Sequence, residues 1–216
     1  MWSLWGSHAA VQIRWTRVLL LFAAVSARSA EAQSSAVTPL NFIFARFASR
    51  SSHTLYAGYG IGRGVVIAGM VQNPRTGYRE IIAGAGVQVF PRRRSGATIV
   101  LAGADASESA YLQVYIVPSL ALWSIAIAGT VEAYQPLERA GSRQLGLNPL
   151  TAVVRIHGRL SAGATYLWSI AEHEPAQQAA GPALKLVLPK GSVTLDLIRT
   201  LSRFASEVRL SFQARF

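Results

Sequence analysis

The last ten residues of the chain, EVRLSFQARF, alternate between polar and apolar side chains right up to the final phenylalanine. Successive side chains of a β-strand point to opposite faces, so a period of two predicts a strand with one apolar and one polar face. Chain ends are usually polar and frayed because few contacts hold them. This segment is instead predicted to be held in a sheet, with an apolar face formed by Val208, Leu210, Phe212, Ala214 and Phe216.

The composition indicates that much of the surface does not face water. Apolar residues make up 51% of the chain and charged residues only 14%, whereas soluble domains carry about 25% charged residues. The length of 216 residues predicts one domain, or at most two small ones. The chain contains no cysteine, which excludes a disulfide framework and a thiolate metal site.

The N-terminal segment contains the three parts of a secretory signal. Arginines precede an apolar run at residues 18–27, and the small-residue pattern Ala-Glu-Ala ends at residue 32. An apolar run of ten residues is too short for a helix that crosses a hydrocarbon layer of ~30 Å. We therefore expect residues 1–32 to be a cleaved signal peptide and residues 33–216 to be the mature domain.

The mature part of the chain divides into short apolar or alternating runs separated by turn signals. Eleven such turns predict twelve strands, whose length is close to the roughly 9 to 11 residues that a transmembrane strand needs. Ten strands are the alternative. Residues 111–131 carry no charge and are long enough for a membrane helix, but proline near the middle favours two strands joined by a turn at Pro118–Ser119.

Loop lengths distinguish a membrane barrel from a soluble sandwich. If the N-terminus lies in the periplasm, short turns such as Gly62-Arg63-Gly64 and Pro189-Lys190-Gly191 fall on the periplasmic side. The two long connections, at residues 135–149 and 173–181, then fall outside. Short turns on one side and long loops on the other are typical of an outer-membrane barrel. An even strand number also returns the C-terminus to the periplasmic side.

The signal sequence, the alternating strands and the terminal phenylalanine together resemble the outer-membrane β-barrel proteins of Gram-negative bacteria. The resemblance implies an all-β, antiparallel, up-and-down transmembrane barrel in the bacterial outer membrane, with both termini in the periplasm. It also implies contact with outer-membrane lipids, including lipopolysaccharide, and with the barrel-assembly machinery. The last strand resembles the signal that this machinery reads. Four residues match it and Ala214 departs from it; the matching residues are Val208, Leu210, Phe212 and Phe216.

Closure of the barrel follows from the physics of the bilayer. Unpaired backbone groups cost several kcal/mol each in lipid, so a spanning sheet cannot have open edges. The last strand is therefore expected to pair with the first, which the sequence places at residues 41–49.

Few residues suggest chemistry. The glycines of GYGIGRG, residues 58–64, match neither a dinucleotide-binding nor a P-loop spacing. A lipid hydrolase built on His157 or His173, near Glu172 and Glu174, is a less favoured alternative, and a metal site in the same acidic loop is weaker still. The sequence thus predicts no catalytic residue, cofactor or metal. Nucleic acid is not an expected partner, because no basic and aromatic recognition motif is present.

Seven charged side chains share the parity that is expected to face the barrel interior. Rings of basic side chains favour anions in pores, which predicts a small-solute pore that prefers anions. In the alternative, acids and bases pair and plug the lumen, leaving a structural or surface-interaction barrel. A twelve-stranded barrel lies between filled eight-stranded barrels and wide porins, so both hypotheses stay open. The seven residues are Glu80, Glu132, Arg155, Lys185, Asp196, Glu207 and Arg209.

Overall fold

Twelve β-strands make up the part of the chain that the structure describes. The computed structural model describes residues 41–92, 95–202 and 206–216, and the predicted signal peptide lies outside these residues. No helix in the described part of the chain is long and apolar enough to cross a membrane. The strands are β1 (Phe42–Ala48), β2 (His53–Ile61), β3 (Gly64–Asn73), β4 (Tyr78–Arg92), β5 (Ser95–Ala106), β6 (Ala110–Leu122), β7 (Ile125–Pro136), β8 (Gln144–His157), β9 (Leu160–Ala171), β10 (Gln177–Leu188), β11 (Gly191–Ser202) and β12 (Glu207–Arg215).

The strands form a closed antiparallel barrel in which each strand pairs with its neighbours in the chain. Strand β12 completes the ring by pairing with β1, from Phe42 opposite Arg215 to Ala48 opposite Arg209. Closure satisfies the backbone groups that an open sheet would leave unpaired. The predicted twelve-stranded barrel and the predicted pairing of its first and last strands are therefore confirmed, and the ten-stranded alternative is wrong.

Burial alternates along the strands as the sequence pattern predicts. In β12, Glu207 and Arg209 are buried, whereas Val208, Leu210 and Phe212 are exposed. The buried face of a closed barrel is its interior, and exposed large apolar side chains occur on the outer face of all twelve strands. An outer surface of this kind matches the apolar band that a transmembrane barrel presents to lipid.

Strands β3 and β5 are apolar on both faces, so their sequence did not reveal which side points inward. The structure turns Val65 of β3 and Val100 of β5 inward, where they pack with Ile82 of β4 and the small residues Ala102 and Ala104. The interior is thus not polar throughout. One wall carries an apolar lining, in which Glu80 of β4 is the buried charge among the described residues.

The two ends of the barrel differ in their connections, as predicted. At the turn end, the described connections contain two residues each: 62–63, 123–124, 158–159 and 189–190. At the loop end they are longer: 49–52, 74–77, 107–109, 137–143 and 172–176.

The predicted turn at Pro118–Ser119 is wrong, because both residues lie inside β6. The chain turns instead at Trp123–Ser124, where Trp123 has a φ of 52°. The pairing of β6 with β7 is interrupted beside the proline, between Ile116 and Ser119. A proline lacks a backbone N–H and is tolerated in a sheet where the ladder is broken, so it marks an irregular strand here and not a turn.

Both long connections are shorter than predicted. Residues 144–149 belong to β8 and residues 177–181 to β10. Pro149 lies where the pairing of β8 with β9 shifts between Leu147 and Leu150, so it again occupies an irregular point of a strand. Gly181 lies so close to the Leu197 carbonyl oxygen that a Cβ atom would overlap it. A glycine at position 181 therefore allows β10 and β11 to approach closely and does not indicate a loop.

Candidate functional site

The charged side chains of the interior form two groups at different levels of the barrel. One group lies towards the loop end and contains acids and arginines. The other lies at the turn end and is basic. Their separation follows from strand direction, because a residue early in one strand and a residue late in the next lie at the same level of an antiparallel barrel.

A chain of hydrogen bonds crosses the interior near the loop end. The guanidinium groups of Arg46 on β1 and Arg209 on β12 both donate to the Asn148 side-chain oxygen on β8, over 3.3 Å and 3.0 Å. The Asn148 side-chain nitrogen donates to Glu132 of β7 over 3.3 Å. Strands β9 to β11 separate β8 from β12 along the wall, so these contacts span the lumen. Arg46, Arg209, Asn148 and Glu132 are called the cross-barrel bridge below.

Arg209 also forms a buried ion pair with Glu207 on its own strand. The Arg209 Nε donates to the Glu207 carboxylate, and the two side chains are only 6% and 4% exposed. The backbone and hydroxyl of Ser51 donate to the same carboxylate over 2.9 Å and 3.1 Å. Because Ser51 lies in the loop between β1 and β2, this pair ties the closing strand to the first hairpin.

A second buried cluster surrounds Glu80 of β4. Its carboxylate accepts hydrogen bonds from Gln113 and, over 3.1 Å, from the Tyr78 hydroxyl. The Tyr115 hydroxyl donates to the Gln113 side-chain oxygen, and the Tyr115 ring meets Tyr134 edge-on at a centroid distance of 6.3 Å. The side chain of Gln113 is fully buried. This cluster fills the interior along β4 to β7 with mutually bonded groups.

Asp196 of β11 differs from the other interior acids. The residue is 3% exposed, and its Oδ1 is buried with no hydrogen-bond partner among the described residues. It lies directly opposite Arg209 in the pairing of β11 with β12. Facing residues of neighbouring strands have Cβ atoms about 4.5–5.5 Å apart, so the arginine can reach this carboxylate.

The turn end contains a cavity of about 110 Å³ lined by Arg155 of β8 and Lys185 of β10. Ser161 and Val153 also line it, and the cavity reaches the turn at Trp123. Among the described residues, no carboxylate lies within ion-pair distance of either base. The basic cavity, as it is called below, therefore presents two cations that no described acid neutralises.

The seven charged residues named from the sequence thus separate into sets. Glu207 and Arg209 form an ion pair, Glu132 joins Arg209 through Asn148, and Asp196 faces Arg209 from the neighbouring strand. Glu80 belongs to the separate cluster with Gln113 and Tyr78. Arg155 and Lys185 share the basic cavity. Their role as the lining of an open lumen stays a prediction.

Sequence reasoning missed three interior residues, two of which carried a usable signal. Arg46 is the single charge in the first strand, FIFARFA, and its parity matches the buried residue Ala48. Gln113 shares its parity with two tyrosines in AYLQVY. Asn148 carried no usable signal, because the Asn-Pro pair was interpreted as part of a loop.

The two histidines considered for a lipid hydrolase lie at opposite ends of the barrel. His157 ends β8 at the turn end. His173 lies in the connection at the loop end, 3.9 Å from Glu172, with its side chain 89% exposed. The structure therefore does not bring them into one site.

The residues of the predicted assembly signal lie on the outer face of the closing strand. Val208, Leu210, Phe212 and Phe216 are all exposed. Phe212 meets Phe47 of β1 edge-on across the seam, with ring centroids 6.3 Å apart. The Phe216 backbone N–H donates to the Asn41 carbonyl oxygen over 3.3 Å.

No protein-family model and no curated protein sequence matches the chain. Solved porin structures do match its fold. A KdgM porin aligns with a TM-score of 0.56 at 8% identity, over 82% of this chain and 98% of that chain. A NanC porin structure aligns with a TM-score of 0.57 at 8% identity, over the same shares. A KdgM porin in complex with disordered oligogalacturonate aligns with a TM-score of 0.57 at 7% identity, again over 82% and 98%.

At this level of identity the likeness shows the fold. The chain has the closed, antiparallel, twelve-stranded barrel of the outer-membrane β-barrel proteins. The resemblance inferred from the alternating strands is therefore confirmed.

Proposed function

We propose that the chain is a small-solute pore of the bacterial outer membrane that prefers anions. The basic cavity is the observation that carries this proposal. Arg155 and Lys185 face a cavity at one mouth of the barrel, with no described carboxylate close enough to neutralise them. Basic side chains at a narrow, low-dielectric mouth raise the local concentration of anions and repel cations. The KdgM structure in complex with oligogalacturonate offers a similar barrel with an anionic solute.

The path of the solute would run from the loop end to the basic cavity. It passes the buried acids and the two arginines of the cross-barrel bridge before it reaches the mouth. We propose that the seven charged residues predicted from the sequence line this path, with Arg46 and Asn148 added to them. The acids towards the loop end would then act mainly by holding the arginines, and the bases at the turn end by selecting the charge of the solute.

A structural barrel with a closed lumen is the second candidate, and a specific observation favours it. The cross-barrel bridge joins opposite walls, and the interior side chains Gln113, Ile82 and Thr165 are almost completely buried. A lumen packed in this way would leave the loops as the interacting surface. The two candidates differ in one measurable property, which is whether ions pass.

A planar bilayer tests the pore directly. Purified, folded protein is expected to produce stepwise currents. Under a salt gradient the reversal potential should shift towards the equilibrium potential of the anion. The heat-denatured protein in the same detergent is the control, and it should give no steps. Folded protein that inserts without any current would favour the structural barrel, and silence of the Asn148→Ala variant as well would reject the pore.

The topology in the membrane is also a proposal. A cleaved signal at residues 1–32 would deliver the chain to the periplasm, both termini would stay there, and the loop end would face outward. Arg75, Arg139 and Arg143 belong to the loop end. Guanidinium groups bind phosphates with two parallel hydrogen bonds, so these side chains would contact lipopolysaccharide.

The exposed apolar end of β12 supports recognition by the barrel-assembly machinery. Phe216→Asp is expected to lower the yield of folded protein in the outer membrane, because a charge would replace the aromatic ring at the end of the closing strand. Phe216→Tyr keeps the ring and should assemble normally. Semi-native electrophoresis of membrane fractions, in which folded and heated barrels migrate differently, measures the folded share. Equal folded yields of the Asp and Tyr variants would contradict the prediction.

A further inference from the structure

We propose that the cross-barrel bridge is the constriction of the pore and that it opens when Arg209 exchanges Asn148 for Asp196. This inference rests on the proposed pore and specifies how its lumen is controlled. In the closed arrangement the arginines reach across the lumen to β8. In the open arrangement Arg209 lies along its own wall against β11, which widens the lumen at this level while Arg46 keeps its bond to Asn148.

The bridge lies where a constriction must be. Two guanidinium groups from β1 and β12 converge on one side-chain oxygen of β8, at 3.3 Å and 3.0 Å. Three strands of wall separate β8 from β12, so the contact runs through the lumen and not along the wall. A solute that passes the barrel must break or displace these bonds. Asn148 therefore lies where the two arginines narrow the lumen.

Asn148 is a weaker hydrogen-bond acceptor for Arg209 than Asp196, which lies on the neighbouring strand. Asn148 offers a neutral amide oxygen, whereas Asp196 offers a carboxylate, and hydrogen bonds between two ionised groups are stronger than those with one neutral partner. Asp196 nevertheless keeps one buried oxygen without a partner among the described residues. A buried acceptor without a hydrogen-bond partner costs free energy. The bridged state thus has the Asn148 contacts and lacks the Asp196 contact, and the exchanged state has the reverse.

Arg209 needs to move only a short distance to reach Asp196, because of the register of the two strands and the charges of the two side chains. Asp196 lies directly opposite Arg209 on the neighbouring strand, and the positive charges of both Arg46 and Arg209 act on its carboxylate. The two arginines also repel each other while they share one acceptor. Movement of Arg209 towards Asp196 satisfies the unpaired oxygen.

Two further groups define the motion. Glu207 binds the Arg209 Nε, whereas the bond to Asn148 comes from Nη1. The Nε contact can therefore persist while the end of the guanidinium swings, which makes Glu207 a pivot. Glu132 holds the Asn148 side-chain nitrogen over 3.3 Å and keeps the amide oxygen aimed at the arginines.

Single-channel recording of two variants tests the exchange. Asn148→Ala removes the acceptor on β8 and is expected to give longer open times and a severalfold larger open fraction than the unaltered protein. Asp196→Asn keeps the shape of the side chain but removes its charge, and it is expected to have the opposite effect, with longer closures. Thr151→Ala is the matched control, because Thr151 lies on β8 but bonds Thr165 and takes no part in the bridge.

The outcomes separate this inference from the pore itself. If neither the unaltered protein nor Asn148→Ala conducts, the pore is rejected. If the unaltered protein conducts and Asn148→Ala behaves like Thr151→Ala, the pore stands and the constriction is assigned wrongly. If Asp196→Asn leaves the closed times unchanged, the exchange of acceptors is rejected. Asn148→Ser repeats the first variant should the alanine protein not fold. If Asn148→Ala conducts and the unaltered protein does not, the bridge closes the barrel.

Discussion

Replacing both bases of the turn-end cavity with acids, Arg155→Glu together with Lys185→Glu, is expected to move the reversal potential from the anion side to the cation side. The two cations share one cavity at the mouth of the barrel, and no described carboxylate lies within ion-pair distance of them. Reversing both charges changes the sign of the field at the mouth, and the sign of a lumen charge determines which ions a pore admits. The measurement is the zero-current potential in a planar bilayer under a salt gradient.

The turn end supplies a matched control for this experiment. Arg159 and Lys190 are exposed bases in the turns that flank the same mouth, and neither lines the cavity. Arg159→Glu with Lys190→Glu changes the net charge by the same amount outside the cavity, where salt screens it. This pair should shift the reversal potential much less. Equal shifts in the two double variants would show that total charge, and not the cavity, determines selectivity.

The architecture could be predicted from the sequence, because the alternation of polar and apolar residues along a strand is a local property. Val208, Leu210 and Phe212 face outward and Glu207 and Arg209 inward, as the period of two requires. Closure followed from the same pattern, since a transmembrane sheet cannot leave an edge unpaired. Prolines were the main source of error. Pro118 and Pro149 lie at interruptions of the strand ladders, and no local pattern distinguishes such an irregularity from a turn.

The contacts within the candidate site could not be predicted from the alternation of inward and outward residues. Alternation placed Glu80, Glu132 and Arg209 on the inner face, but it could not tell which of them would meet. That depends on the register between strands and on the contacts across the lumen, such as the reach of Arg46 to Asn148 over 3.3 Å. Parity also treated the charges as one set, whereas strand direction separates the bases at the turn end from the acids towards the loop end.

The ion pair between Glu207 and Arg209 is expected to carry much of the stability of the closing strand. Arg209→Met removes the cation and leaves a carboxylate that is 4% exposed, with Ser51 as its remaining described partner. Breaking a buried ion pair by removing one member destabilises proteins by about 3–5 kcal/mol. Because β12 pairs with β1 to close the barrel, the variant should unfold at a clearly lower denaturant concentration in detergent or lipid vesicles.

Arg215→Met and a double variant decide whether the buried charge causes this loss. Arg215 is an exposed base on the same strand, so its replacement should change the unfolding midpoint little. Glu207→Gln combined with Arg209→Met removes the stranded carboxylate, and it should recover part of the lost stability, because a buried neutral amide costs less than a buried unpaired charge. If Arg209→Met unfolds like Arg215→Met, the pair does not hold the seam. If the double variant is no more stable than Arg209→Met, the loss comes instead from the contact of Arg209 with Asn148 across the lumen.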